Sequence, residues 1–564
     1  MDLKPWLNHY PKGIPAEIDI NSYANLIDAI EKGLEAHASA EAFVYMDKVF
    51  TFSEIEKLSL NFAAYLQHLG LKPGDRIALQ MPNCIQYPIA LFGALRAGLV
   101  IVNTNPLYTP REMKHQFTDS GASAIVIVAN FASHLEAVIA DTAIEHVIIT
   151  ELGDMLNFPK KQLVNFVVKR VKKMVPAYRL PEAVNFVTAL QIGNSCPYTR
   201  PEVKNTDLAF IQYTGGTTGV SKGAALDHIN LIANIEAVAA WFQPMVGKTK
   251  DLCTLGALPF YHIFALTVNV LTGVKLGFKN VLVVNPRDQK ALCKDLKKNP
   301  ITIFPGLNTL FNALLHNEDF RKLDFSNLKI TIAGGMALQK SVADEWEKLT
   351  GCRITEGYGL SETSPVLSVN PVDGTQQIGT IGIPVPSTIM RVLKEDGTWA
   401  EADEVGEICA FGPQVMKGYY KRPQETEKVF VKDELGRDFF KTGDIGLMRE
   451  DGYFKIVDRK KDMILVSGFN VYPNEVEDVL AQHPDIVEVA CVGVKDARST
   501  EAVKVFIVRK NESLTADEVK RFARENLTAY KCPKQVEFRD ELPKTNVGKI
   551  LRRKLKEEDE SVHS

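Results

Sequence analysis

Residues 213–223 read Tyr213-Thr214-Gly215-Gly216-Thr217-Thr218-Gly219-Val220-Ser221-Lys222-Gly223, directly after the apolar run Leu208-Ala209-Phe210-Ile211. Glycines let a backbone turn tightly and bring its N–H groups against an anion, hydroxyls add donors, and a lysine adds positive charge. The stretch therefore predicts a strand running into a phosphate-holding loop. It is not a Walker loop, because Val220 and Ser221 separate Gly219 from Lys222. The alternative at Gly247-Lys248-Thr249 has Phe242 where the first glycine belongs. A dinucleotide fingerprint fails as well, since Gly357-Tyr358-Gly359-Leu360-Ser361-Glu362 ends in glutamate at the third glycine position. By itself the loop could also be a surface turn.

Its companions narrow the reading. Gly357-Tyr358-Gly359-Leu360-Ser361-Glu362-Thr363, Lys441-Thr442-Gly443-Asp444, Asp458-Arg459-Lys460-Lys461-Asp462 and Pro543-Lys544-Thr545-Asn546-Val547-Gly548-Lys549-Ile550 follow in that order. The set resembles the adenylate-forming superfamily of acyl-CoA synthetases, luciferases and peptide-synthetase adenylation domains, over nearly the whole chain. Within it, the chain is most similar to the bacterial long-chain fatty acid CoA ligases. That likeness rests on Asn105-Pro106-Leu107-Tyr108-Thr109-Pro110-Arg111-Glu112, on Ile464 through Glu475, and on Val536 through Pro543. Two departures stand out. Asp438-Phe439 replaces the Gly-Trp pair usual before Lys441, and Ser361 stands where threonine is common.

The chain has 564 residues, 45% hydrophobic and 24% charged, which is too long for one core and predicts two or more domains. A formal net charge of -3 gives no reason to expect nucleic acid as a partner. The eight cysteines form no Cys-x-x-Cys pair and read as reduced thiols of a cytoplasmic protein. No run of 18 apolar residues occurs; the most apolar stretch, residues 89–102, is interrupted by Arg96. Apolar runs such as Ala124-Ile125-Val126-Ile127-Val128 alternate with helical segments such as residues 53–69, which predicts an α/β fold with buried, largely parallel sheets. After Asp451-Gly452 the texture becomes smaller and more charged, with strands at residues 487–494 and 502–508 and a helix at residues 515–526 capped by Thr515.

The resemblance implies a large N-terminal adenylation domain, residues 1–457, with two parallel-rich sheets layered with helices and a β-barrel-like subdomain. A small mobile α+β C-terminal domain, residues 458–564, follows. It implies ATP and coenzyme A as cosubstrates, a fatty acid as substrate and Mg2+ as cofactor. By the same resemblance Lys549 meets the carboxylate and the α-phosphate, and Glu362 holds magnesium. Thr214, Gly215, Gly216, Thr217, Thr218, Gly219 and Lys222 surround the phosphates, and Gly334 and Gly335 lie along the nucleotide wall. Tyr358 and Gly359 face adenine, Asp444 takes the ribose hydroxyls with Arg459 nearby, and Ser467-Gly468 turn toward coenzyme A. Taken locally, each has a plainer alternative. Lys549 fits a solvated basic tail, Glu362 a helix N-terminus, Tyr358 simple packing and Thr442-Gly443-Asp444 a surface turn.

No Gly-x-Ser-x-Gly elbow or catalytic triad is visible, so catalysis is expected to rest on positioning and charge neutralisation. The runs Leu258 through Leu266 and Phe304 through Phe311 are apolar enough to line an acyl pocket, with His262 as wall or gate rather than base. Leu163, Phe166, Val167, Val171, Met174 and Val175 recur at helical spacing beside Lys160, Lys161, Lys169, Lys172 and Lys173, with Arg170 inside the apolar arc. That pattern fits either a helix packed on its own domain or weak peripheral contact with the cytoplasmic face of an anionic inner membrane. A homodimer is one assembly the chain could form, and the sequence does not decide it.

Overall fold

The computed structural model describes residues 4–214, 221–246, 252–466, 469–496, 499–545 and 548–563. Gly215, Gly216, Thr217, Thr218, Gly219, Ser467 and Gly468, assigned above to phosphate and coenzyme A, lie outside the described residues.

The alternation of apolar runs with amphipathic helices resolves into two large sheets. In the eight-stranded one, Leu208–Thr214, Val100–Asn103, Arg76–Gln80, Ala124–Val128 and His146–Thr150 lie side by side in parallel, the last two pairs on either side of Arg76–Gln80 and Ala124–Val128 in full register. Val100–Asn103 and Ala124–Val128 are buried along their whole length, as strands covered on both faces must be. The nine-stranded sheet carries Cys253–Gly256, Ile303–Gly306, Ile330–Ala333 and Ile354–Gly359 in parallel at its centre. Every residue of the helix Gln86–Arg96 is buried, which is why the stretch reads as nearly continuous apolar sequence. Thr51 with Glu54, and Thr109 with Glu112, close capping boxes that set where two of the helices begin.

A third, antiparallel sheet is the small β subdomain, built around the long strand Asp438–Met448, which pairs with Gly406–Phe411, Phe430–Lys432 and Phe454–Arg459. Asp458 and Arg459 are the last residues of that sheet, and the fourth begins at Ile464. In the fourth, Ile486–Asp496 and Thr500–Arg509 form a long hairpin, with Gln535–Phe538 parallel to the second strand. Helix Ala516–Asn526 covers this sheet, capped by Thr515 as its sequence predicts. The two apolar clusters of this last unit draw only on residues from Ile464 onward, and the other four stop before it.

Trp346 anchors the nine-stranded sheet. It is fully buried, its ring lies 5.3, 4.7 and 5.5 Å from those of Phe304, Phe311 and Phe320, and its Nε1 donates to Thr331 Oγ1 at 3.0 Å. Trp346→Ala empties this site and costs about 3–5 kcal/mol. Thermal unfolding checks it: the variant has a clearly lowered midpoint, and an unchanged midpoint contradicts this packing.

Candidate active site

Three strand ends converge on one cavity of about 810 Å3. Leu208–Thr214 delivers Thr214, the turn after Ile330–Ala333 delivers Gly334 and Gly335, and Ile354–Gly359 delivers Tyr358 and Gly359. The carboxyl ends of sheet strands are where α/β proteins commonly bind ligands, because the chain there opens into loops with free backbone donors. Lys222, Glu362, Asp444, Arg459 and Lys549 line the same cavity. Every described residue assigned above to nucleotide, magnesium or catalysis therefore borders a single space.

Two glycines sit where a side chain would be crowded or strained. A Cβ on Gly334 would stand 3.0 Å from the Phe264 ring, and Gly335 adopts φ +79° beneath the Lys549 side chain, where a Cβ would lie 3.5 Å from Cε and 3.9 Å from Nζ. Lys549 arrives on a tight hairpin. Gly548 turns at φ +85°, Gly548 N–H donates to Thr545 O at 2.9 Å, and Lys549 N–H donates to Thr545 Oγ1 at 3.0 Å. The lysine thus crosses from the C-terminal unit into a cavity walled by the large one.

Asp444 and Arg459 sit directly opposite on neighbouring strands, and their side chains pair at 3.2 Å. The Tyr358 hydroxyl donates to Asp444 Oδ2 at 2.6 Å, and Thr442 Oγ1 accepts from the Asp444 N–H at 3.1 Å. Asp444 is buried, so Thr442-Gly443-Asp444 is a structured turn facing the cavity rather than a surface one. Glu362 is also buried. It accepts from the Tyr419 hydroxyl at 2.8 Å, and burial raises its carboxyl above the ordinary range. Burial, with Arg459 and then Lys461 adding repulsion, brings the Lys549 ammonium down to about 8. His262 is held neutral, its pKa lowered to about 3 by burial and by Lys549. Its Nδ1 accepts from Phe264 N–H at 3.4 Å, which fits a wall residue and not a base.

Magnesium chemistry can be tested against these donors. Among the described residues no cluster of three or more His, Cys, Asp or Glu side chains could enclose an ion. A single carboxylate such as Glu362 is nonetheless what Mg2+ takes when substrate phosphates supply further oxygens, so the residues fit that use.

The apolar end of the cavity departs from the sequence expectation. His262, Ile263 and Phe264 line it, but no residue of 304–311 does. Phe304 and Phe311 turn instead to Trp346 in the core. The wall comes from Val238, Trp241 and Phe242 of helix His228–Val246, with Val268, Ile332, Val366, Val369 and Val372. Sequence could not single these out, because a helix apolar on most sides carries no mark of which side faces a void. Tyr419, Arg422, Glu425 and Lys461 also line the cavity. The first three were not anticipated, since only the pairing of Gly418–Tyr419 with Lys222–Asp227 brings them beside the loop.

Known proteins bear on this geometry. The profile of the AMP-binding enzyme matches residues 30–420, and that of the AMP-binding enzyme C-terminal domain matches residues 475–549. A long-chain-fatty-acid–CoA ligase of Escherichia coli O157:H7 is 54% identical over 556 residues, covering 98% of each chain. One from Bacillus subtilis strain 168 is 39% identical over 99% of each. The crystal structure of ATP-bound MatB from Rhodopseudomonas palustris superimposes with a TM-score of 0.82 at 26% identity, covering 96% of this chain and 100% of that one. With a shared architecture, likeness along the full length and a cavity bordered by the expected motifs, the chain belongs to the AMP-binding enzyme family.

Proposed function

We propose that this protein is an ATP-dependent long-chain fatty acid CoA ligase, which forms an acyl adenylate and then an acyl-CoA. The observation that carries the reading is the lining of one cavity by Lys549, Glu362, Asp444 and Arg459, continued by an apolar wall from Val238 to Val372. The first half-reaction joins the fatty acid carboxylate oxygen to the α-phosphorus as the bond to the pyrophosphate oxygen breaks. No protein nucleophile is needed. Lys549 sits over Gly335 to meet charge on both reacting groups, Asp444 accepts from ribose, and Gly334 and Tyr358 border the base. Thr214 and Lys222 contact the phosphates. Glu362 would hold Mg2+, which would supply neutralising charge to the phosphates. A long acyl chain against the apolar wall gains about 0.8 kcal/mol per buried methylene.

In the second half-reaction the thiol of coenzyme A attacks the acyl carbon and AMP leaves. The division at Asp458 serves this step: the C-terminal unit turns, Lys549 withdraws and the cavity opens to coenzyme A. Asp458 is fully buried, accepts from Asn474 N–H at 2.8 Å and faces Arg552 at 3.5 Å, so the pivot is tied to the unit it moves.

Peripheral membrane contact is supported by one surface. Phe158, Leu163, Phe166, Val171 and Met174 are five of the thirteen exposed large apolar side chains among the described residues, all within 17 residues. The helix Lys160–Phe166 and the π-helical turn Val167–Val171 grip the body through Val164 and Val168; of the predicted apolar arc Leu163, Phe166, Val171 and Met174 face outward, while Val167 is half-buried and Val175 packs against the body. Lys160 and Lys169 are paired with Asp47 and Glu151, while no ion pair among the described residues engages Arg170, Lys172 or Lys173. Among the described residues no helix is long and apolar enough to cross a membrane. Anionic vesicles at low salt should carry the protein in flotation, and Phe166→Asp should abolish this. Equal flotation of the two proteins would dismiss the surface.

Production of AMP and acyl-CoA in equal amounts, greatest with long-chain fatty acids, tests the activity; AMP without acyl-CoA overturns the second step. Lys549→Ala is expected to slow fatty-acid-dependent ATP–pyrophosphate exchange by about 10²–10³-fold, typical of a lost charge stabiliser. It should affect thioester formation from supplied acyl adenylate far less. Since the Lys549 pKa is depressed to about 8, the charged form is lost as pH rises through that value. The kcat/KM of the exchange reaction therefore falls above pH about 8, and Lys461→Gln shifts that limb to higher pH by removing a repelling cation. A limb that stays in place shows that Lys549 does not govern it.

A further inference from the structure

The phosphate end of the cavity already contains anions supplied by the protein. Lys222 Nζ pairs with Glu425 Oε2 at 2.5 Å, both side chains 35% exposed, and both residues line the cavity. The same ammonium lies 5.2 Å from the centre of the Tyr419 ring, whose hydroxyl holds Glu362. Strand pairing of Tyr419 with Ala224 sets this arrangement, and the short helix Pro423–Glu427 then turns Glu425 back onto Lys222. The other carboxylate of Glu425's surroundings is different in kind. Asp119 pairs with Arg422 at 2.5 Å but also accepts from the Tyr213 hydroxyl at 2.8 Å and is only 11% exposed, so it is built into the wall. Among the described residues Glu425 has no such tie; its second oxygen meets Lys428 at 3.1 Å.

We propose that Glu425 is the exchange partner of pyrophosphate on Lys222. Its carboxylate neutralises the lysine while the phosphate end is empty, yields it to the more highly charged phosphates of ATP, and reclaims it as pyrophosphate departs. This rests on the reading of Lys222 as a phosphate contact. A competing internal anion lowers affinity for ATP and for pyrophosphate alike, and the gain is faster release of the product whose return would reverse adenylation. The pair is partly exposed and correspondingly weak, so its removal should tighten binding by roughly two- to five-fold.

The experiment titrates the full-length protein with magnesium pyrophosphate by calorimetry and measures pyrophosphate inhibition of the forward reaction. Wild type, Glu425→Gln, Lys222→Met and the double variant are compared, with thermal midpoints as a check on folding. Glu425→Gln should bind pyrophosphate and ATP more tightly, with the KM for fatty acid unchanged, and the effect should vanish in the Lys222→Met background. Unchanged or weaker pyrophosphate binding by Glu425→Gln overturns the exchange while leaving the ligase reading intact. If Lys222→Met alone leaves both affinities unchanged, the phosphate role of Lys222 fails and takes the exchange with it.

Discussion

One side chain joins two folding units: Lys549, carried by the last hairpin of the chain, reaches over Gly335 into a cavity walled by the large unit. A lysine placed there gives up hydration and approaches Arg459 and Lys461, and its depressed pKa expresses that cost. Asp444 and Glu362 offset part of it by their charge. The site is thus a balance of charges drawn from both units around one cavity, and the proposed turn of the C-terminal unit would withdraw the lysine while the carboxylates stay with the large unit. Such separability is what two successive reactions in one cavity require.

The proposed pivot follows the same logic. Asp458 lies at the end of a strand paired to the large unit, yet its carboxylate faces Asn474 and Arg552 beyond it. Burial raises its pKa to about 6 against the pull of Arg552. Arg552 in turn is held by Glu477 at 2.6 Å, so the pivot stays attached to the small unit through a cluster of groups that compensate each other's burial. Across the units, Asn312 Nδ2 donates to the Val487 carbonyl at 3.2 Å.

Much of this was legible from residues alone. Ala124–Val128 is a strand over the span its apolar run marks, and Thr515 caps its helix with Glu518, because both signals are local and no tertiary contact opposes them. The motif residues met in one cavity because glycines and polar residues at strand ends are chosen for backbone and ligand, not for core. The apolar wall of the cavity was anticipated only in part, at Ile263 and Phe264, for the opposite reason. Phe304 and Trp241 are both apolar and buried, and only packing decides that the first meets Trp346 while the second borders a void. Tyr419 and Glu425 escaped notice because their role comes from a two-residue strand pairing nearly 200 residues distant in sequence, a relation that periodicity does not encode.

The most direct test of the two-arrangement account is to fix the units as described. Cysteines placed at 312 and 487, with half-buried Cys196 and Cys532 changed to serine, would bridge the contact between Asn312 and Val487. The oxidised protein should retain fatty-acid-dependent ATP–pyrophosphate exchange, lose acyl-CoA formation, and regain it on reduction. Undiminished acyl-CoA formation by the fully cross-linked protein would contradict the account.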